Sequence, residues 1–353
     1  MGNFAGNQYT VGLGIRDHSG TNGEIGGTAT VVEEHTEMEL TTVNPINFNG
    51  AFTQAQYERS GRRGLVNQDY YSTYGTGVWT WDFDWLANDE LIAQKLLSLI
   101  YPTGAGNQAG TALTIPAAPI NVDMSHLNTG DIDSTADITI LAPTYTDAAG
   151  IADEDMSMRS AVLQNLTIAC DMATDGGRPH MSGQFMTGYK PTISNSGTSL
   201  TARTAGNEWD YSLFDLTTRT LFGSATQTIK SFSLTIDNPA TRVGWQGTAM
   251  ETDGYMRSGY INVSGSVTAK LNSAMADHLD TWITSGAIGS PTDKATTAIT
   301  LENGSDWSIA LPAVLITGFT QDTANDGIFV TVDFVATAGA AGAFTNLAVI
   351  KMT

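Results

Sequence analysis

The chain has 353 residues, enough for about two domains of ordinary size. Its 36 Asp+Glu against 16 Lys+Arg leave a net charge of −20, which argues against a surface built to grip nucleic acid. A single cysteine, Cys170, excludes an intrachain disulfide and a cysteine zinc cluster, and suits folding in a cytosol.

Charged residues make up only 15% of the chain, below the roughly 25% of a typical soluble domain, so much of the surface must be Thr, Ser, Asn, Gln and Gly. No stretch reaches the 18 or so apolar residues of a membrane helix. The start of the chain, Met1 to Gln8, lacks the positive head and apolar run of a secretory signal.

Residues 1–30 are Gly-rich and read as an extended arm. Glu33 to Tyr101 then reads as a strand (Glu37 to Val43), a break at Asn44-Pro45 and a loop over 49–77 rich in Arg, Gly and Tyr. A second strand, Gly77 to Trp85, follows, and Asn88 opens an amphipathic helix. On that second strand Trp79, Trp81, Phe83 and Trp85 share one side, while Thr80, Asp82 and Asp84 share the other. An insertion of about 104–157 carries Gly, Thr, Pro and Ala runs and one short β-like piece, Asp137 to Leu141. Its length and composition place it on an outer surface. A hairpin closes the unit: Ala161 to Ile168, a turn at Asp175-Gly176-Gly177, then Met181 to Tyr189.

Residues 191–224 read as a linker, rich in Ser, Thr and Gly up to Ala205, in whose later part Trp209, Tyr211, Leu213, Phe214 and Leu221 return the chain to a packed environment. The plan then repeats. Ile229 to Ile236 is a strand, Asn238-Pro239 breaks it, Tyr260 to Thr268 is the second strand, and Asn272 opens a helix. The apolar positions Leu91, Ile92, Leu96, Leu99 and Ile100 of the first helix match Ala274, Met275, Leu279, Trp282 and Ile283 of the second. Each helix starts at an Asn able to accept a backbone N–H. Ala313 to Phe319, a turn at Asn325-Asp326-Gly327 and Ile328 to Val335 repeat the closing hairpin, and a last strand-like piece runs from Phe344 to Met352. The fold class is mainly β: two tandem sandwich or half-barrel domains, 31–190 and 225–353, each with one flanking α-helix.

Several patterns that could carry chemistry have plainer readings. Asp82 and Asp84 resemble paired hydrolase carboxylates, but no separate acid or base can be identified, which leaves an exposed polar strand face. Asp131, Asp133 and Asp137, or Asp153, Glu154 and Asp155, lack EF-hand spacing and read as solvated acidic loops. His18, His35, His126, His180 and His278 show no metal spacing, and Cys170 reads as a packed thiol. Gly12-Leu-Gly14 lacks the strand–turn–helix context of a nucleotide site. The expectation is therefore no catalytic residue, no metal and no cofactor. Arg59, Arg62 and Arg63 form a basic cluster suited to pairing with acidic residues of a neighbouring molecule.

The order strand, loop, strand, helix and closing hairpin, with Phe232 to Pro239 and Gly259 to Thr268, resembles the tail tube (major tail) proteins of long-tailed bacteriophages. The resemblance covers roughly 30–190 and 225–340. It implies a structural virion protein, made in the host bacterial cytoplasm, whose β-sandwiches join their inner sheets into a barrel around a lumen. It implies that residues 1–30 and the loop 49–77 stack rings, with Arg59, Arg62 and Arg63 as contacts between rings. Two copies per chain imply a homotrimeric ring with pseudo-sixfold symmetry, the alternative being a homohexamer. The partners implied are the chain itself, a tape-measure protein, tail terminator and distal tail proteins, with DNA passing through unbound and no membrane. Thr80, Asp82 and Asp84 are expected to face the lumen, where acidic side chains repel phosphates. Two other classes stay open: an outer-membrane porin, against which the missing signal and two interior helices count, and a carbohydrate-active β-enzyme built on Asp82 and Asp84.

Overall fold

The computed structural model describes residues 9–17, 31–32, 35–40, 42–47, 52–56, 70–74, 77–100, 113–116, 134–142, 155–193, 200–202, 212–244, 251–252, 254–257, 261–285, 297–304, 307–322, 328–337 and 346–352. The chain begins with β1 (Thr10–Asp17), β2 (Val31–Val32) and β3 (His35–Met38), followed by the hairpin of β4 (Phe52–Gln56) and β5 (Tyr70–Tyr74). β6 (Trp79–Leu86) runs into α1 (Glu90–Ile100), and β7 (Leu113–Pro116) and β8 (Ser134–Leu141) precede β9 (Met156–Asp171) and β10 (Pro179–Thr187). Short pieces β11 (Thr192–Ile193), β12 (Leu200–Thr201) and β13 (Thr218–Thr220) lead to β14 (Ile229–Asp237). Then come the hairpin β15 (Ala240–Val243) and β16 (Gly254–Arg257), β17 (Asn262–Lys270) and α2 (Ser273–Ser285). β18 (Thr297–Asn303), β19 (Trp307–Asp322), β20 (Phe329–Ala336) and β21 (Asn346–Met352) complete the chain, which is mainly β.

One antiparallel run, β6–β10–β9–β14–β17–β20–β19, forms the backbone of the molecule. Its strands alternate apolar and polar residues, so one face is buried and the other is open. Trp81, Phe83 and Phe185 stack across the buried face at 5.4–6.0 Å between ring centroids, and Phe232 stacks on Phe334 at 6.2 Å. The strand expected at 77–85 thus forms, with its aromatics inward. β9 and β19, 16 residues each, continue beyond this run. The first half of β9 pairs with β8, and β8 pairs with β1. The first half of β19 pairs with β18 and β21, and β21 with β7. α1 packs against β3, β8, β9 and β21, so elements from both ends of the sequence share one core.

Two register slips on β9 have counterparts on β19. β10 and β9 slip register between Gln184 and Phe185, whose partners are Asn165 and Leu163; β20 and β19 slip where Gly318 and Ile316 pair with Asp333 and Phe334. β8 and β9 slip between Ala136 and Ile138, opposite Ala161 and Met158; β18 and β19 slip between Thr297 and Ile299, opposite Val314 and Leu311. All four positions on β9 lie 153 residues before their counterparts on β19. A bulge bends a strand and re-aims its side chains, so its position is a feature of the design of a sheet rather than noise.

Several expectations need correcting. Within the stretch read as an extended arm, β1 is a strand whose Val11, Leu13 and Ile15 are buried. The insertion expected on an outer surface holds β8, whose residues 135–140 are all buried, and β7, which pairs with the C-terminal strand. The strand expected at Glu37 to Val43 forms only as β3, and the Asn44-Pro45 step lies alongside β6. Asp89 caps α1, its carboxylate accepting the Ile92 N–H at 3.0 Å, while Asn88 accepts from the Trp85 indole instead. At α2 the expected cap holds, Asn272 accepting the Met275 N–H at 3.0 Å. Leu91 is 43% exposed, not packed as the helical periodicity suggested, and Phe214, expected in a packed environment, is 61% exposed. The side chains of Trp282 and Ile283 lie outside the described set, as do Trp209 and Tyr211.

Candidate assembly surface

The open face of the long sheet is built from rows of residues held opposite one another by register. One row reads Asp84, Ser182, Thr167, Thr235 and Ser264; the next reads Asp82, Gln184, Asn165, Asp237 and Asn262. Asp82 and Asp84 are exposed and Thr80 is half-buried, all three on the face opposite the tryptophans. Gln184 donates to the Asp82 carboxylate at 2.7 Å, and the hydroxyls of Thr167 and Thr235 lie 2.9 Å apart, as do those of Thr268 and Thr331. Asp171 and Asp333 add two exposed carboxylates. The face is polar, acidic and laced by short side chains, a surface that repels polyanions.

His180 stands at one end of it, between two carboxylates. Its Nδ1 lies 3.2 Å from Asp84 and its Nε2 2.8 Å from Asp175, which sits in the β9–β10 turn. Partial burial by itself lowers the His180 pKa, but hydrogen bonds and charge from Asp175 and Asp84 outweigh it and hold the pKa above its ordinary value. A folded-state pKa raised in this way stabilises the fold fully below the unfolded value of about 6.5, and the gain is lost as pH rises through the folded value. Thermal melts of the protein and its His180→Asn variant are therefore expected to differ at pH 5.5 and to converge above neutrality. Equal separation at both pH values would contradict this.

The two edges of the sheet differ in how they end. Along β6, Asn47 N–H donates to the Thr80 carbonyl at 2.9 Å, Trp81 Nε1 to the Asn44 carbonyl at 2.9 Å, and Asn44 Nδ2 to the Asp82 carbonyl at 3.0 Å. Residues 42–47 thus lie antiparallel to β6 as a partial eighth strand. At the other end, no described strand pairs the outer edge of β19 over 315–322. Its Ile316 and Phe319 are only half-buried, whereas Leu163 and Leu166, which hold the matching places in β9, are fully buried.

What covers β9 at that place is β14. Asn238, just after β14, donates its N–H to the Gln164 carbonyl at 2.8 Å and its amide to the Ile100 carbonyl at the end of α1, at 2.7 Å. Gln164, the bulged residue of β9, donates to the Ala240 carbonyl at 2.9 Å. The β15–β16 hairpin then packs Tyr255 and Ala240 against Val162, Met186 and Tyr189. The buried Tyr255 hydroxyl donates to the Ser160 carbonyl at 2.7 Å and accepts the Gly188 N–H at 2.9 Å; burial raises its pKa. Sequence reasoning missed this joint, although the Asn238-Pro239 step was a visible signal.

Arg59, Arg62 and Arg63 lie outside the described residues, as do Asp131, Asp133, Asp153, Glu154, His18 and His126. Asp137, read as part of a solvated loop, is instead buried against Arg16, and Asp155 is buried, accepting the Ala142 N–H at 3.0 Å. Cys170 is buried and burial pushes its thiol up to about 12. His278 is half-buried, bonded to Ser224 at 3.1 Å and edged against Phe222, and burial lowers its pKa. Gly12 and Gly14 lie within β1, not at a phosphate-binding turn. Among the described residues no group of three or more His, Cys, Asp or Glu side chains is arranged to hold a metal ion, and no helix is long and apolar enough to cross a membrane. No protein-family model matches the chain, and no curated protein matches it.

Proposed function

We propose that the chain is a structural, non-enzymatic virion protein that polymerises into stacked rings, the tail tube of a long-tailed bacteriophage. It contains the tube fold twice, so three chains complete a ring of six sectors. The observation that carries this reading is the β9–β14 joint. There, one half of the chain covers the sheet edge of the other, and the corresponding edge of β19 has no cover among the described residues. An edge of half-buried apolar residues and unpaired backbone is a site for strand addition. A head-to-tail joint repeated around a closed ring covers every such edge.

Seven paired strands and the segment 42–47 come from each chain, and three chains make a barrel well beyond the 16 or so strands at which barrels already leave an aqueous channel. In this reading the acidic face carrying Thr80, Asp82 and Asp84 lines that channel and lets DNA and a tape-measure protein slide without sticking. The loop 49–77, with Arg59, Arg62 and Arg63, and residues ahead of β1 then serve contacts between rings. Tail terminator and distal tail proteins are the partners at the two ends of the tube. The apolar face of the sheet is spent on internal packing rather than offered to lipid, which favours this reading over a porin.

Electron microscopy of the purified protein tests the reading. Rings or tubes with a central hole are expected; compact single particles without a hole at any concentration would sink it. The acidity of the channel wall is tested separately. Asp82→Lys together with Asp84→Lys is expected to leave assembly intact and to give the particles a salt-sensitive affinity for duplex DNA that the parent lacks. DNA retention on a filter at low salt, equal for both proteins, would contradict it.

A further inference from the structure

We infer that the joint between neighbouring chains sets Asn47 of one copy directly opposite Thr320 of the next, in the register that Thr235 and Thr167 adopt inside the chain. The inference deepens the ring reading and rests on it. Its basis is the two matched bulges. Gln184 opposite Asn165 and Asp333 opposite Gly318 flank the same slip, so Gln184 corresponds to Asp333. Gln184 pairs with Asp82 and Asp333 with Ser266, which makes Asp82 the counterpart of Ser266, and hence Thr80 the counterpart of Ser264.

Thr235 pairs with Ser264 on β17, and Asn47 pairs with Thr80 on β6, so Asn47 holds the place of Thr235. Ile46 then holds the place of Leu234, and both are buried. On the other side, Thr167 corresponds to Thr320 by the same 153-residue spacing as the bulges. Within the chain Thr167 faces Thr235 with their hydroxyls 2.9 Å apart. In the single chain the side chains of Asn47 and Thr320 are both exposed. The joint therefore places a side-chain amide against a hydroxyl where the internal joint places two hydroxyls. It also brings Phe319 under the neighbouring strand, as Leu166 is brought under β14. The Asn44-Pro45 and Asn238-Pro239 steps do not correspond in this register, so sequence comparison alone leads to the wrong pairing.

The test is cysteine cross-linking in assembled particles. Directly opposed residues have Cβ atoms about 4.5–5.5 Å apart, close enough for a disulfide after small adjustment, whereas residues displaced by two are about 7–8 Å apart. Cys170 is buried and stays in place. The variant Asn47→Cys with Thr320→Cys is expected to give chain-to-chain disulfides on oxidation, at least tenfold more than Asn47→Cys with Asp322→Cys. Rings that cross-link better through position 322, or through neither pair, overturn the register while leaving the ring reading intact. Where a pair disturbs assembly, a map of the unsubstituted ring reads the register directly, and any other residue opposite Asn47 overturns it. If the unsubstituted protein forms no ring, the ring reading and this inference fall together.

Discussion

Phe319→Lys is expected to leave a folded single chain that no longer assembles. Phe319 lies on the outer part of β19, half-buried at an edge with no described neighbour, so a lysine there can run its stem along the apolar surface and keep its charge in water. In the proposed joint the same position takes the surroundings of Leu166, which is completely buried where β14 pairs beside β9. An unpaired cation enclosed in that way costs several kcal/mol, and each ring contains the joint three times. An inward-pointing lysine is also how natural edge strands prevent pairing. The matched substitution, Leu166→Lys, puts the charge inside the chain and is expected to abolish folding. Sedimentation and circular dichroism separate the two: a native spectrum at monomer size for Phe319→Lys, and loss of the native spectrum for Leu166→Lys. Normal rings from Phe319→Lys would remove the β19 edge from the account.

Asp137→Ala is expected to destabilise the chain by about 3–5 kcal/mol, a large share of a typical total of roughly 5–15 kcal/mol. Arg16 Nε lies 3.0 and 3.1 Å from the two Asp137 oxygens, and its Nη2 forms a second, parallel contact. The same carboxylate accepts the N–H of Ser160 at 2.9 Å. Ser160 has φ of +48°, a left-handed conformation uncommon for a residue other than glycine, and sits where β9 passes from its β8 pairing to its β10 pairing. One side chain thus ties β1, β8 and the bend of β9, with only 9% of Asp137 and 21% of Arg16 side-chain surface exposed. Removing the carboxylate leaves a guanidinium and a backbone donor without their acceptor. Replacing both partners with apolar residues, Arg16→Met with Asp137→Leu, is expected to cost far less, because nothing charged is then stranded. Urea denaturation of the three proteins decides it; a single variant within 1 kcal/mol of the parent would show that the pair is not the tie described.

What the sequence disclosed and what it hid divide along the range of the interactions. Alternation on Trp79 to Trp85 and the Asn272 cap depend on neighbours within a few residues, and both were legible. So was the Asp175-Gly176-Gly177 turn, where φ values of +50°, +66° and +76° call for Asp and Gly. β8 was misplaced because its residues from Thr135 to Ile140 are buried on both faces, so its polar residues, Asp137 among them, gave it the look of a surface strand. β1 was missed for a related reason: Gly12 and Gly14 suggested a pliant arm, yet Leu200 and His35 pack so close to Gly12 that a side chain there would collide. The bulges at Gln164 and Thr317 carry the strongest sign of recurrence, and they are properties of paired strands rather than of either strand alone. The acidic strand residues Asp82 and Asp84 were found where the alternation put them, on the open face. The edge of β19 was not found, since an edge is defined by what fails to lie beside it.

In the proposed assembly a chain with two equivalent sectors closes a ring with two others. Native mass spectrometry of isolated rings measures that number directly. A ring of about 112 kDa, three times the 37.4 kDa of one chain, is the predicted result; a ring of six chains, or a single chain at every concentration tried, would contradict it.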